Sequence, residues 1–140
     1  MSAMFDAIVL GGGPAGEHRA ARLAEGGLRV AIAERELLGG ECSYWGCIPS
    51  KTLVRRGEAL QAAREAPGAA EDVDGRIVDS AAAFAWRDFM VSDYGDAGQA
   101  AWAQGAGIEV LRGAARLDGP GRVVVGDEAY LAGDVVIATG

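Results

Sequence analysis

Phe5-Asp6-Ala7-Ile8-Val9-Leu10-Gly11-Gly12-Gly13-Pro14-Ala15-Gly16 is the stretch that decides the fold. Its first half, Phe5 to Leu10, is a short apolar run of the kind that forms a buried strand. Its second half is a glycine-rich turn. Glu17 to Gly26 then reads as an alanine-rich helix stopped by Gly26-Gly27, and Leu28 to Ala33 as a second strand with Glu34 at its end. Strand, tight turn, helix and strand within about 30 residues match the length of a βαβ unit, so the chain is predicted to be α/β with a parallel sheet and flanking helices.

The glycines stand as Gly11-x-Gly13-x-x-Gly16, and Glu34 follows 18 residues after the last of them. Each position has a task in dinucleotide binding. Gly11 permits the tight turn, Gly13 lets backbone approach a pyrophosphate, and Gly16 lets the helix pack close to the strand. The helix N-terminus offers unpaired N–H groups and a partial positive charge to the phosphates. Glu34 can accept the ribose hydroxyls. The preceding strand, the following helix and the well-placed acid make this a dinucleotide fingerprint and not a glycine-rich turn of another α/β protein.

The bulk properties narrow the class. With 140 residues, half of them hydrophobic, the chain is long enough for a domain with a core. A net charge of -7 with scattered Lys and Arg argues against a nucleic-acid partner or an anionic membrane surface. Met1 to Asp6 is too short for a signal peptide, and no apolar run approaches the roughly 20 residues that span a bilayer. The expected compartment is the cytoplasm, where a structural disulfide would be unusual.

Further along, a helix is expected to continue through roughly Arg64, until Pro67-Gly68 breaks it. Ala69 to Val78 reads as an acidic, exposed connection. Asp79 or Ser80 can cap a helix through about Val91, and a second helical piece is expected from about Asp96 to Gln104. Phe84, Trp86, Phe89 and Trp102 are expected as packing residues. Ile108 to Leu111 reads as a third strand, from which Gly113 to Leu117 leads. Arg122 to Val125 and Glu128 to Leu131 suggest a hairpin around Gly126-Asp127, and Asp134 to Ala138 a final buried strand before Thr139-Gly140.

The stretch Gly39-Gly40-Glu41-Cys42-Ser43-Tyr44-Trp45-Gly46-Cys47-Ile48-Pro49-Ser50-Lys51 holds both cysteines of the chain. Two thiols so close can be metal ligands, buried apolar fillers or a redox pair. A structural zinc site usually takes four Cys or His ligands, and besides the two cysteines the chain offers only His18, so no metal site is expected.

The two motifs together resemble the flavoprotein disulfide reductases, the class I pyridine nucleotide-disulfide oxidoreductases. That family opens with a glycine fingerprint that binds FAD. Its redox stretch has the form Gly-Gly-x-Cys-x-x-x-x-Cys-x-Pro-Ser-Lys, as in Gly39 to Lys51. A Gly-x-Ala segment beside the adenine corresponds to Gly113 to Ala115, and a strand ending in Ala-Thr-Gly corresponds to Val135 to Gly140. The matches occur in family order from end to end of the chain. Ser43-Tyr44-Trp45-Gly46 departs from the family's more usual residues between the cysteines, so the substrate is left open. Family members are roughly three times as long, a size that demands several domains. The resemblance therefore implies that residues 1–140 are the N-terminal portion of an FAD-binding Rossmann-like domain with a small β-meander, lacking its last strand. The nicotinamide and dimerisation domains would lie outside it.

What the resemblance implies for function follows residue by residue. Electrons pass from NAD(P)H through FAD to a Cys42–Cys47 disulfide, with Cys47 nearest the flavin and Cys42 as the interchange thiol. Gly46 permits a non-helical turn between them and Pro49 suits a first helical turn, which puts Cys47 near a helix N-terminus, a position that stabilises a thiolate. Lys51 is expected beside the flavin, and Arg55 and Arg56 on a solvated face or against an anionic substrate. FAD contacts are implied for Gly11, Gly13, Pro14, Ala15, Gly16, Glu34, Arg35, Gly40, Glu41, Cys42, Gly46, Cys47, Lys51, Ala115, Ala138, Thr139 and Gly140. The implied partners are a small disulfide or another electron acceptor, and a second copy of the full-length protein in a homodimer. Two alternatives stand beside this reading. One is a reductase that passes electrons to a metal ion or quinone, and the other is a non-catalytic FAD-binding module. The 140 residues alone are expected to lack turnover.

Overall fold

The computed structural model describes residues 4–140; residues 1–3, the start of the segment read as too short for a signal peptide, lie outside the described residues. The elements in chain order are β1 (Met4–Leu10), α1 (Pro14–Glu25), β2 (Val30–Glu34), α2 (Gly40–Tyr44), α3 (Cys47–Glu65), α4 (Ser80–Met90), α5 (Ala97–Gly105), β3 (Ile108–Arg112), β4 (Ala115–Leu117), β5 (Arg122–Val125) and β6 (Glu128–Ile137). Short 3-10 turns lie at Glu71–Val73, inside the expected acidic connection, and at Ser92–Tyr94. The chain forms two compact units, one from the residues up to Cys42 together with Gly95–Gly140, the other Ser43–Tyr94.

The first unit is built on one six-stranded mixed sheet in the order β3-β2-β1-β6-β5-β4. β1 runs parallel to β2 and β6, and β2 parallel to β3, while β4, β5 and the start of β6 form the antiparallel meander. Alternation along the strands sends side chains to both faces. Val9, Val30, Ile32 and Ile108 join Ala20 of α1, Ala103 of α5 and Leu38 in one buried cluster. Ile8, Leu10, Ala31, Ala33 and Leu111 join Val123, Val125 and Ala132 of the meander in the other. Runs that are apolar at every position, such as Ala7–Leu10, are what a strand buried on both faces requires.

Four expectations change. α1 begins at Pro14 and not at Glu17, because proline's fixed φ and missing N–H suit the first helical position. Ala115–Leu117, read as a connection, is strand β4. The hairpin strand Glu128–Leu131 and the final strand Asp134–Ala138 are one strand. Its beginning pairs antiparallel with β5 and the rest parallel with β1, and both ladders use Leu131. Nor is its end fully buried. Val135 and Val136 are half-buried and Ile137 is 66% exposed.

The second unit packs α3 against α4. Asp79 caps α4 as expected, its carboxylate accepting the Ala82 N–H at 3.1 Å. The aromatic residues of α4 are not core. Phe84, Trp86 and Phe89 are all exposed, as is Trp102 in the first unit. Their partners are each other and cations. Trp86 and Phe89 have ring centres 5.1 Å apart, and Arg56 and Arg87 lie over Trp86 and Phe84. Among the described residues no helix is long and apolar enough to cross a membrane.

Ile8 is fully buried in the centre of the sheet. Ile8→Ala should therefore cost about 2–5 kcal/mol, while Ile137→Ala should stay within about 0.5 kcal/mol. Urea unfolding of the two variants beside the parent chain measures both.

Candidate functional site

At the C-terminal ends of the parallel strands the first unit forms a glycine-lined cradle. Gly11, at φ +100°, turns the chain out of β1, and a Cβ there would collide with the carbonyl oxygen of Ala138. A Cβ on Gly16 would collide with the carbonyl oxygen of Gly11, so only glycine lets α1 start this close to β1. Gly40 closes the cradle from another side. A Cβ on it would come within 2.7 Å of the Gly13 Cα, and the neighbouring Gly39 N–H donates to the Gly12 carbonyl at 2.7 Å. Gly13 differs from these three. Its φ of −76° suits any residue, and a Cβ on it would meet nothing within 4 Å. The space in front of it is open. No side chain caps α1, which leaves its first N–H groups facing outward.

Glu34 sits beside this cradle at the end of β2. Its carboxylate accepts the Gly12 N–H and the Glu36 N–H, each at 2.8 Å, and its own carbonyl accepts the Gly113 N–H at 2.9 Å. The segment Gly113 to Ala115 is thereby held against the acid. Ala138 is tied in from the other side, donating its N–H to the Leu10 carbonyl at 2.8 Å. The structure therefore brings Gly11, Gly13, Gly16, Glu34, Gly40, Gly113 and Ala138 together around one cradle. Arg35 points into solvent and pairs with Glu36 at 3.3 Å. Pro14, Ala15, Glu41, Thr139 and Gly140 are exposed, and Ala115 is half-buried.

Sequence reasoning missed three residues here. Asp96 occupies the N-cap position of α5 yet makes no side-chain bond to that helix. Its carboxylate instead accepts the Leu38 N–H at 2.7 Å and a guanidinium N–H of Arg112 at 2.5 Å. Partial burial pushes the Asp96 carboxyl up, but the Arg112 hydrogen bond, the Leu38 N–H and the Arg112 charge outweigh it and hold the group below the usual carboxylate range. The signal was weak. Asp96 is read only as the start of a helical piece, and Arg112 is an arginine just before the Gly-x-Ala segment. Glu17, in the first turn of α1, was also passed over. Burial raises its carboxyl above the ordinary range, and its Oε1 is buried without a hydrogen-bond partner among the described residues.

The cysteines lie in different helices. Cys42 is half-buried in α2 of the first unit. Cys47 is the exposed first residue of α3 in the second unit, after Gly46 in a non-helical conformation (φ −108°, ψ −95°). The expected break at Gly46 and the expected place of Cys47 at a helix N-terminus are both observed. Pro49 is buried in the first turn, and Ser50 Oγ donates to the Cys47 carbonyl at 3.2 Å. Within the second unit Cys47, Lys51, Arg55, Arg56, Trp86 and Met90 line an open groove of about 490 Å³. Arg55 pairs with Glu58 at 3.8 Å, whereas Arg56 stacks on Trp86 at 5.3 Å. Among the described residues no group of three or more His, Cys, Asp or Glu side chains could hold a metal ion.

Residues 5–140 match the family described as pyridine nucleotide-disulphide oxidoreductase. The chain belongs to this family. It is 37% identical over 126 residues to the dihydrolipoyl dehydrogenase of Rhizobium etli, covering 90% of this chain and 26% of the relative. With the dihydrolipoyl dehydrogenase of Thermus scotoductus it shares 38% over 136 residues, 97% of this chain and 29% of the relative. The chain thus spans less than a third of the length of these relatives. Among solved structures it is similar to the HOCl-induced flavoprotein disulfide reductase RclA from Escherichia coli, with a TM-score of 0.73 and 26% identity over 96% of this chain and 28% of that one. A Cu(II) complex of a mutant of the same reductase matches with a TM-score of 0.76 and 26% identity, over 100% of this chain and 29% of that one.

Within this family the chain is the N-terminal FAD-binding part, and FAD is the cofactor. The cradle fits a dinucleotide. The glycines that touch backbone have no room for a side chain, while Gly13, beside the uncapped end of α1, faces open space. This division yields a test. Gly13→Ala should keep the melting temperature of the unliganded chain within about 2 °C, because the new methyl meets no protein atom. It should weaken FAD binding by about tenfold or more, about 1.4 kcal/mol, by occupying the pyrophosphate's approach. Quenching of FAD fluorescence on titration with the protein reads the affinity.

Proposed function

We propose that this chain is the flavin-bearing part of an NAD(P)H-dependent disulfide oxidoreductase in which Cys42 and Cys47 are the redox-active pair. The observation that carries the reading is the place of Cys47. It is the first residue of a 19-residue helix that no side chain caps, five positions after Cys42, in a chain of this family. The N–H groups of that first turn have no side-chain partner and stay open beside the sulfur. The disulfide between the two would close a very short loop and constrain the unfolded chain little, so it suits repeated opening and closing better than holding the fold.

In this reading Gly11, Gly13, Pro14, Ala15 and Gly16 hold the pyrophosphate, and Glu34 and Arg35 the ribose. Gly40, Glu41, Gly46 and Lys51 serve the flavin end, Ala115 the adenine, and Ala138, Thr139 and Gly140 the close of the site. Bound FAD supplies the two electrons that NAD(P)H delivers as hydride. The cysteines then act on a small disulfide. The Cys42 thiolate attacks one substrate sulfur, and the S–S bond breaks to release the first thiol. The Cys47 thiolate attacks Cys42 in the mixed disulfide, releasing the second thiol and re-forming the Cys42–Cys47 bond. Two electrons pass to the substrate through the cysteines, and each expelled thiolate takes up a proton from water. The nicotinamide site and the contact of a homodimer belong, in this proposal, to length that the relatives have and this chain does not span. The cytoplasm is its place of work.

A second reading, electron delivery to a metal ion, is favoured by one finding, the similar reductase captured with Cu(II). Counting thiols tests the first reading. Chain purified in air and unfolded in guanidinium with a chromogenic disulfide reagent should show almost no reactive thiols. After reduction with dithiothreitol it should show two, and Cys47→Ser should show one in both cases. Two reactive thiols in the air-purified chain, unchanged by oxidised glutathione, would falsify the paired-cysteine reading.

A further inference from the structure

We propose that Asp96 and Arg112 are positioning residues for the adenosine half of the dinucleotide, bracing residues 35–40 and through them the carboxylate of Glu34. The proposal rests on the FAD-binding reading and adds two residues to it.

Glu34 has little freedom of its own. Its two carboxylate oxygens accept from Gly12 and Glu36, so its position depends on the backbone that follows it. That backbone is a turn ending in Gly39-Gly40, closed internally by the Gly40 N–H donating to the Leu37 carbonyl at 3.0 Å. What ties its middle to the sheet comes from distant sequence. Asp96, 58 residues on from Leu38, accepts the Leu38 N–H. Arg112, opposite Glu34 in the β2–β3 ladder, donates to the Glu36 carbonyl at 3.2 Å and to the same Asp96 oxygen that holds Leu38. The Leu38 side chain is fully buried with Val9, Ile32 and Ala103, and so fixes the same point from below.

Two features argue that this is more than an incidental surface pair. The Asp96 side chain is only 15% exposed, although Arg112 is 43% exposed. Asp96 also leaves its own helix uncapped, and an unmade cap of this kind forgoes about 1 kcal/mol. A carboxylate in the favoured capping position is here directed at the Leu38 N–H and Arg112. Charge-assisted hydrogen bonds converging on one oxygen are stiffer than neutral ones. The strut therefore sets where Glu34 meets a ribose hydroxyl, and small displacements there weaken a hydrogen bond steeply.

The test uses Asp96→Asn, which keeps an acceptor for Leu38 but loses the charge, and Arg112→Gln, an exposed change that spares the fold. Each should weaken FAD by about tenfold, the worth of one charge-assisted hydrogen bond. Each should weaken ADP, read by displacement of FAD, by the same factor, since ADP carries only the adenosine end. The double variant should be no worse than the poorer single one, as expected of two residues acting as a unit. Arg112→Lys, which keeps the charge beside Asp96, should recover part of the affinity. Wild-type affinities for FAD and ADP in Arg112→Gln would overturn the strut, as would a lower melting temperature of the unliganded chain with ADP affinity unchanged. Failure of the parent chain to bind FAD at all would overturn the FAD reading and the strut together.

Discussion

The carbonyl of Gly11 lies against the Cα of Gly16, with room for a hydrogen and nothing larger. That contact fixes the start of α1 directly over the end of β1. From there α1 buries Ala20 against Val9 and Ile32, and its outward N–H groups stand at the C-terminal edge of the sheet, where an anion can reach them. The same crowded corner sets β6. The Ala138 carbonyl occupies the place a Cβ on Gly11 would need, so the strand after the meander must end beside the first turn. Two absent side chains thus define the cradle from below, and Gly40 defines it from above.

Most of this was legible because it is local. A strand, a glycine-rich turn and a helix are written within one short stretch, and Gly11 and Gly16 each have a steric reason to be there. Glu34 was legible for the same reason, as the acid at the end of the next strand. β6 was not. Its apolar pattern falters at Ala132-Gly133-Asp134, which reads as a break between strands. In the fold Gly133 lies in the middle of the strand, and a Cβ there would stand 3.0 Å from the Asp6 carbonyl. The residue that looked like punctuation instead permits close approach of a neighbouring strand.

Asp96 and the aromatic residues of α4 show two other kinds of failure. Asp96 stands one residue before α5, and local rules assign it to that helix. Its partners are Leu38 and Arg112, and only the sheet order, with β3 beside β2, brings them near. For Phe84, Trp86 and Phe89 the sequence states how apolar a helix is, not what covers it. Within their own unit they meet cations and one another, and they remain exposed.

The helix starts differ in their caps. α4 has an ordinary cap, with Asp79 accepting the Ala82 N–H. α1 and α3 both begin after a glycine with no side-chain cap, and both place a proline within the first turn, Pro14 and Pro49. A serine or aspartate at position 13 or 46 would satisfy one of the open N–H groups and stabilise the helix by about 1 kcal/mol. It would also take the N–H groups and the dipole that an external anion needs. Glycine there leaves them to the ligand. On our reading the anion in α1 is the pyrophosphate of FAD, and in α3 it is the sulfur of Cys47 once the disulfide opens. The two motifs that looked separate in the sequence are one device used twice: a helix left uncapped so that its first turn can hold negative charge that the fold does not supply until a ligand binds or a disulfide opens.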